Sequence, residues 1–193
     1  LAWFASFLEK DLMTFFYKRV KFITVSESSK QDMEAIGIGA AGIRVVNPGV
    51  DLKAYSELLA EKSTHPTILY LGRLKAYKSV NVLIQAFRLV LTERPEAELV
   101  IAGDGEEMKP LKRLAKDLRL SEKQVRFLGR VSQDEKVKLL QSSWVFVNPS
   151  FREGWGIVNI EANACGTPVI ASDVPGLRDS VRNRETGYLV EYG

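Results

Sequence analysis

The sequence predicts an α/β fold in which a parallel sheet carries helices on both faces. From residue 67 onward, short apolar runs alternate with segments of helical periodicity. The clearest run, residues 144–147, is apolar at every position, which is typical of a strand buried on both faces. The spacing leaves room for a helix between successive strands, and such βαβ units build parallel sheets.

Composition narrows the class of protein. The chain has 193 residues, 46% hydrophobic content and a formal net charge of +3. That charge is compatible with an anionic ligand and predicts no nucleic-acid partner. The single cysteine excludes an internal disulfide and suits a reducing compartment, so we predict a cytoplasmic protein. Both ends of the chain look cut, and we therefore expect it to be part of a longer protein.

The first fifty residues predict a small α/β segment. Residues 3–19 form an apolar helical pattern, interpreted as a core-facing helix, with a membrane-surface helix left open because basic residues follow it. Residues 22–25 and 43–46 read as short strands, and Ser26 should cap a helix that ends near residue 36. Residues 51–67 lose periodicity, which predicts a linker with one short helix at about 54–61.

The remainder predicts five further strand–helix repeats. Strands are expected at 67–71, 98–102, 125–128, 144–147, 168–171 and 188–190, and helices at 80–92, about 109–120, 134–141, 156–165 and near 175–182. Pro110 is acceptable only in a first helical turn. The turn Gly103-Asp104-Gly105 is interpreted as structural, because a dinucleotide fingerprint would need glycine where Met108 stands.

The stretch from residue 148 to residue 161 organises the predicted site. Gly154 and Gly156 flank Trp155, which suits a loop whose backbone approaches a ligand closely. The helix that follows offers unpaired N–H groups and a dipole that favours an anion. Glu153 and Glu161 bracket this helix start, and ionised carboxylates accept hydrogen bonds from vicinal hydroxyls. An anion between two polyols describes a nucleotide diphosphate sugar; alternatively, Glu153 only complements the dipole and Glu161 lies on a solvated face.

A second group of residues follows the strand at 67–71. Gly72 permits close backbone approach, Arg73 can fork two phosphate oxygens, and Lys78 adds a point charge at the next helix. Two cations match the charge of a diphosphate. The alternative is an ordinary βα turn whose charges are solvated.

Glu153-x7-Glu161, with Ala162, the run at 166–173 and Gly176, resembles the signature of the group 1 (family 4-like) retaining glycosyltransferases. That family has two facing Rossmann-like domains. The resemblance implies that residues 1–50 are the end of the acceptor-side domain and linker. It implies that residues 51–193 are the nucleotide-sugar (donor) binding domain, truncated at its C-terminus.

The resemblance also implies roles. Arg73 and Lys78 would neutralise the leaving diphosphate, Glu153 would hold the donor sugar, and Glu161 would hold the ribose diol. The catalytic set would be Arg73, Lys78 and Glu153. The backbone around Gly156, Ile157 and Val158 would face the phosphates, and the backbone of Val131 would contact the base. Gly72, Gly154 and Trp155 complete the predicted donor-binding residues.

The implied reaction moves a hexosyl group from a UDP, GDP or ADP sugar to a sugar or glycolipid acceptor in polysaccharide or glycolipid biosynthesis. The acceptor would be held by the missing domain, so this chain alone should be inactive. No cofactor and no metal are expected. Ser79 replaces the family's usual glycine and is predicted to cap the next helix.

Alternatives remain at this point. A nucleotide-sugar epimerase of the same architecture and a nucleotide-sugar binding module without transfer activity both fit the motifs. A basic run in the predicted helix at 109–120 is interpreted as a solvated face, with peripheral membrane contact at the cytoplasmic side left open. Its members are Lys109, Lys112, Arg113, Lys116 and Arg119.

Overall fold

A computed structural model describes residues 16–17, 20–56 and 60–193. The chain divides into two compact units, Leu1–Pro48 and Gly49–Gly193. Most of the helix predicted at residues 3–19 lies outside the described residues. Within the described ranges, no helix has both the length and the apolar character needed to cross a bilayer.

The described part of the first unit is a small parallel β-pair with one helix. Strand β1 (Phe22–Thr24) pairs with β2 (Ile43–Val45), and helix α1 (Glu27–Ala35) connects them. The Ser26 hydroxyl accepts a hydrogen bond from the Ser29 N–H at 3.1 Å, which satisfies one of the open donors of the first turn. The predicted strands and the Ser26 cap are therefore confirmed.

The second unit is built on six parallel strands. They are β3 (Thr67–Leu71), β4 (Glu98–Ala102), β5 (Val125–Gly129), β6 (Val145–Asn148), β7 (Val169–Ser172) and β8 (Gly187–Val190). Their order across the sheet is β5-β4-β3-β6-β7-β8, and every neighbouring pair is parallel. The predicted parallel sheet is confirmed, with strand bounds within one residue of those expected.

Helices cover both faces of this sheet. They are α2 (Leu52–Ser56), α3 (Val80–Glu93), α4 (Met108–Asp117), α5 (Gln133–Ser142), α6 (Ile157–Ala164) and α7 (Leu177–Ser180). Successive strand residues point to opposite faces. Leu69 and Val100 accordingly enter a core with α5, α6 and α7, while Tyr70 and Ile101 enter a second core with α3 and α4.

Three local expectations need correction. The short helix expected at 54–61 is α2, which begins at Leu52, and residues 57–59 lie outside the described part. The helix expected near 175–182 is only the four-residue α7. Ser79 does not cap α3 through its side chain: its backbone is left-handed (φ 52°), and its hydroxyl lies 3.0 Å from the Tyr192 hydroxyl. Capping residues normally have an extended backbone, so this geometry excludes the predicted role.

The strand order indicates where the sheet can bind a ligand. The chain runs outward from β3 to β4 and β5, then returns to place β6 on the other side of β3. Where the order reverses, the loops after β3 and β6 diverge and leave a crevice at the carboxyl ends of the strands. In open α/β sheets this crevice is the usual ligand site, so a ligand is expected to bind near the residues just after Leu71 and Asn148.

Candidate functional site

An ion pair between Lys78 and Glu153 spans the reversal point. Lys78 ends a 3₁₀ turn (Ala76–Lys78) after β3, and Glu153 lies in the loop after β6. The Lys78 ammonium contacts Glu153 Oε1, and the two side chains are only 14% and 15% exposed. Ser150 Oγ lies 3.0 Å from the same carboxylate oxygen. The two predicted residues are therefore brought together, and in the free protein each neutralises the other.

A buried polar network holds the loop that carries Glu153. Ser150 Oγ lies 2.7 Å from Asn148 Oδ1, and Asn148 donates to Asn159 Oδ1 at 3.1 Å. Asn159 in turn donates to Ser180 Oγ at 2.9 Å, which joins the end of β6 to α6 and α7. All four residues are buried, and Asn159 and Ser150 are fully inaccessible. Because each buried amide is bonded, the network fixes the loop without leaving these groups unsatisfied.

Two glycines set the path of this loop. Gly156 is left-handed (φ 76°) at the start of α6, and a Cβ there would lie 2.6 Å from Leu177 Cδ2. Gly176 (φ 83°) runs so close to the loop that a Cβ would lie 2.1 Å from the Glu153 carbonyl oxygen. A larger residue at Gly176 would displace the loop backbone, and one at Gly156 would be strained by the left-handed conformation and would push against Leu177.

The start of α6 is open toward a ligand. No side chain caps this helix among the described residues, and the N–H groups of Ile157 and Val158 belong to its first turn. Gly154 is exposed just ahead of the helix. The Trp155 indole N–H is buried and has no hydrogen-bond partner within the described ranges. An uncapped helix start is the geometry that the predicted anion site requires, and the anion itself stays a prediction.

An open cleft of about 570 Å³ lies at the carboxyl ends of β3, β4 and β5. Its lining includes Gly72, Arg73 and Val131, as well as Lys136 from α5. The Arg73 guanidinium is exposed and has no ion-pair partner among the residues the structure describes. Arg73 is thus available to an anion in a way that Lys78 is not.

The turn at Gly103 shapes the floor of this cleft. A Cβ on Gly103 would lie 1.8 Å from the Gly72 carbonyl oxygen, and one on Gly105 would lie 2.2 Å from the Leu74 carbonyl oxygen. The two turns can therefore lie against each other only because these positions lack side chains. This supports the structural interpretation of the Gly103-Asp104-Gly105 turn.

Glu161 lies inside α6 and is almost wholly buried. Its Oε1 accepts hydrogen bonds from the Tyr55 hydroxyl at 2.5 Å and from the Lys136 ammonium at 2.7 Å. Its Oε2 is shielded from solvent and has no hydrogen-bond partner among the described residues. The alternative that Glu161 lies on a solvated helix face is therefore wrong.

The charge of Lys136 is set by opposing effects. Burial disfavours the ammonium, but hydrogen bonds to Glu161 and Tyr55 outweigh that effect and raise the pKa of Lys136. Burial also raises the pKa of the nearby Cys165 thiol to about 11, with a smaller contribution from Glu161. Lys136 therefore stays charged and compensates the buried carboxylate, while Cys165 stays a neutral thiol near pH 7.

The sequence did not predict the contacts of Tyr55, of Lys136 or of the Asn148–Asn159 pair. Tyr55 lies 106 residues before Glu161, inside a segment interpreted as a linker. Lys136 resembles any charged residue on a helix, and an asparagine at position 159 of an apolar helix was the only available signal for a buried polar contact. Among the described residues, no group of His, Cys, Asp or Glu is arranged to hold a metal ion.

Comparison with known proteins gives one consistent family. The sequence model of "Glycosyl transferases group 1" matches residues 53–193. An uncharacterised glycosyltransferase of Methanocaldococcus jannaschii is 34% identical over 187 residues, covering 90% of this chain and 47% of that protein. The D-inositol 3-phosphate glycosyltransferase of Rhodococcus jostii is 35% identical over 181 residues, covering 86% and 40%. The chain thus spans less than half the length of these relatives.

Solved structures share the fold. HepE of Anabaena, in complex with UDP and glucose, superposes with a TM-score of 0.81 at 22% identity, covering 94% of this chain and 53% of that one. The sucrose-phosphate synthase of Thermosynechococcus elongatus gives a TM-score of 0.75 at 29% identity, covering 88% and 44%. Both matches agree with an α/β domain built on a parallel sheet.

Proposed function

This chain belongs to the group 1 glycosyltransferases, and on that basis we propose that it supplies the donor-binding half of a retaining enzyme that uses a nucleotide diphosphate sugar. The observation that carries the proposal is the Lys78–Glu153 pair at the reversal point of the sheet, beside the uncapped start of α6. A cation, a carboxylate and open N–H groups at one edge match a ligand with phosphates and hydroxyls.

In this proposal, Arg73 and Lys78 stabilise the leaving group. As the bond between the anomeric carbon and the diphosphate oxygen breaks, negative charge grows on the diphosphate. Arg73 meets it from the cleft, Lys78 from the crevice, and the first N–H groups of α6 from a third side. Lys78 is held by Glu153, and the N–H groups belong to the helix backbone, so both are in place before the ligand arrives and act as preorganised electrostatic stabilisation.

The two carboxylates would orient the sugars on either side of the diphosphate. Glu153 would accept hydrogen bonds from hydroxyls of the donor sugar, and Ser150 with the network behind it fixes the carboxylate. Glu161 would take the ribose diol, for which its unpartnered Oε2 is the supporting observation. The base would lie at the backbone of Val131, which lines the cleft together with Gly72.

Binding is the first test. Titration calorimetry with UDP, GDP and ADP should find at least one ligand, and UDP is the first choice because the Anabaena fold neighbour holds it. Glu161→Ala should weaken that ligand by about 1.5–3 kcal/mol, the scale of a hydrogen bond to a charged group. Glu185→Ala, at an exposed carboxylate, is the matched control. Absence of any nucleotide binding would contradict the donor-site proposal.

Transfer is the second test. Holding an acceptor against the donor carbon can contribute about 7–11 kcal/mol to a barrier. The relatives named above are more than twice as long as the matched region, so acceptor positioning is assigned to the part outside this chain. The 193-residue chain is therefore expected to bind donor without transferring the sugar. Robust transfer by this chain to a sugar or glycolipid acceptor would refute the division of labour.

The alternatives make different predictions. Release or exchange of label from a nucleotide sugar by the longer protein, with and without acceptor, separates transfer, epimerisation and binding alone. None of the relatives named above favours the epimerase.

A peripheral membrane contact in the cytoplasm rests on the exposed cations of α4, of which Lys112 and Lys116 are two. Salt-sensitive binding to vesicles containing anionic lipid would support this contact. Indifference to anionic lipid would remove it.

A further inference from the structure

Lys136 links the buried Glu161 to the open cleft. Its ammonium lies 2.7 Å from Glu161 Oε1 and 3.1 Å from the Tyr55 hydroxyl, and it also lines the cleft that contains Arg73 and Val131. An ammonium has three N–H donors. These contacts use two of them, and the structure gives the third no partner among the described residues.

Tyr55 fixes the geometry of this pair. The Tyr55 hydroxyl donates to Glu161 Oε1 at 2.5 Å, and its ring lies 5.4 Å from the Lys136 ammonium. The Tyr55 carbonyl accepts a hydrogen bond from the Gln141 side chain at 2.8 Å, which ties α2 to α5. Tyr55 is itself buried. The three polar groups are therefore mutually oriented by α2, α5 and α6.

The ion pair of Lys136 and Glu161 has almost no net charge, and this determines which group of a ligand it can bind. A contact at 2.7 Å cancels most of the field of the ammonium at longer range. A phosphate in this cleft would gain less from Lys136 than from Arg73, which lines the same cleft and has no ion-pair partner among the described residues. A hydroxyl suits it better, because a hydroxyl both accepts and donates, and the pair offers one donor and one acceptor.

We infer that Lys136, oriented by Tyr55 and Glu161, is a ribose-recognition residue of the donor site: the free Lys136 N–H donates a hydrogen bond to a ribose hydroxyl, and that hydroxyl donates its own hydrogen bond to the Glu161 carboxylate. The inference rests on the proposed nucleotide site and adds two residues to it. Lys136 touches the ligand, whereas Tyr55 acts through its neighbours as a positioning residue.

The test compares a nucleoside diphosphate with its 2′-deoxy form. The probe is whichever of UDP, GDP and ADP binds the 193-residue protein most tightly, and affinity is measured by calorimetry. The protein should prefer the ribonucleotide by about 10-fold or more. Lys136→Met should weaken the ribonucleotide by about 10-fold and leave the deoxynucleotide within about 2-fold, so that the ratio contracts. Lys138→Met, an exposed lysine on the same helix, should leave the ratio unchanged.

Tyr55→Phe provides the second variant, because it removes one hydroxyl without changing the shape of the side chain. It should also contract the ratio, and Lys136→Arg should restore part of it by returning a charged donor. A thermal melt of each variant establishes that it is folded. If the folded Tyr55→Phe and Lys136→Met proteins keep the full preference, the inference is overturned.

Failure of the underlying proposal would look different. A protein that binds no nucleotide, or binds the two forms equally, contradicts the proposed donor site or the ribose role of Glu161. A Lys136→Met protein that loses both forms equally indicates a phosphate contact instead, and this outcome also overturns the inference while leaving the donor site in place.

Discussion

Replacing Glu153 with glutamine should strengthen the binding of a nucleoside diphosphate. In the free protein, Glu153 Oε1 occupies the Lys78 ammonium, and both side chains are largely shielded from solvent. A diphosphate that reaches Lys78 must share this cation with a fixed negative charge. Glu153→Gln keeps the shape and the acceptor facing Ser150 but removes that charge.

The size of the effect follows from the geometry. Two anions that both contact one ammonium at about 2.8 Å lie about 4.5–5.5 Å apart. Coulomb repulsion at that distance is about 3 kcal/mol at an effective dielectric constant near 20, and less where water enters the crevice. Removing it should tighten diphosphate binding by about 1–3 kcal/mol, roughly 5- to 160-fold.

Calorimetry at low and moderate salt measures the effect. Glu106→Gln is the matched control, because Glu106 lines the cleft that contains Arg73 but is 64% exposed in its pair with Lys75. An exposed pair contributes about 0–1 kcal/mol, so this variant should change affinity by less than about 5-fold. Unchanged or weaker diphosphate binding by folded Glu153→Gln would show that the ligand does not compete for Lys78, and the electrostatic account of the site would fail.

Three further predictions follow from single contacts. Arg73→Ala and Lys78→Ala should each weaken a nucleoside diphosphate more than the monophosphate in calorimetry; equal losses would show that neither reads the second phosphate. Asn159→Leu should lower the free energy of unfolding in urea by about 2–4 kcal/mol, because two buried groups lose their partner, whereas exposed Asn81→Leu should change it by less than about 0.5 kcal/mol. Alkylation of Cys165 by iodoacetamide should keep rising with pH up to about 11 in the native protein but level off near 9.0 in urea, because burial raises the pKa of the thiol; a native plateau near 9 would contradict this.

The raised pKa of Cys165 also predicts how the stability of the protein changes with pH. A raised pKa means that the folded protein holds the Cys165 proton more tightly than the unfolded chain does. Its contribution to stability is therefore present below pH 9 and is lost as the pH rises toward 11. The raised pKa of Lys136 acts in the same direction, since the contribution is present below the ordinary value of 10.5 and disappears above it.

The sheet and the loop motifs could be predicted because they depend on local patterns. Buried parallel strands are short apolar runs, and the bounds of β3 and β4 agree residue for residue with the prediction. The sequence predicted Arg73, Lys78 and Glu153 because each lies in the loop that follows such a strand. Parallel topology then brings these strand ends to one edge, so a local reading was enough to place them together.

The contacts made by Glu161 could not be predicted in this way. Tyr55 contacts it from a segment without clear periodicity, and Lys136 contacts it from α5, where nothing in the local sequence distinguishes this lysine from the other charged residues. Neither contact has a local sequence signature. The Ser79 error has a similar cause, because a serine before a helix normally caps it, and only the left-handed backbone, where the family usually has glycine, excludes that role.

The two carboxylates of the site are both held by lysines, and this has a consequence for ligand choice. Lys78 contacts Glu153, and Lys136 contacts Glu161, so the free site has little unbalanced charge at either carboxylate. An anion without a sugar can bind Lys78 only by competing with Glu153. A sugar without a phosphate can bind Glu153 only by competing with Lys78. A ligand that carries a diphosphate and hydroxyls together can satisfy both members of the pair at once. Under the proposed function, the pairing therefore favours the intact nucleotide sugar over its separate halves, and Glu153→Gln should reduce that preference by strengthening the diphosphate alone.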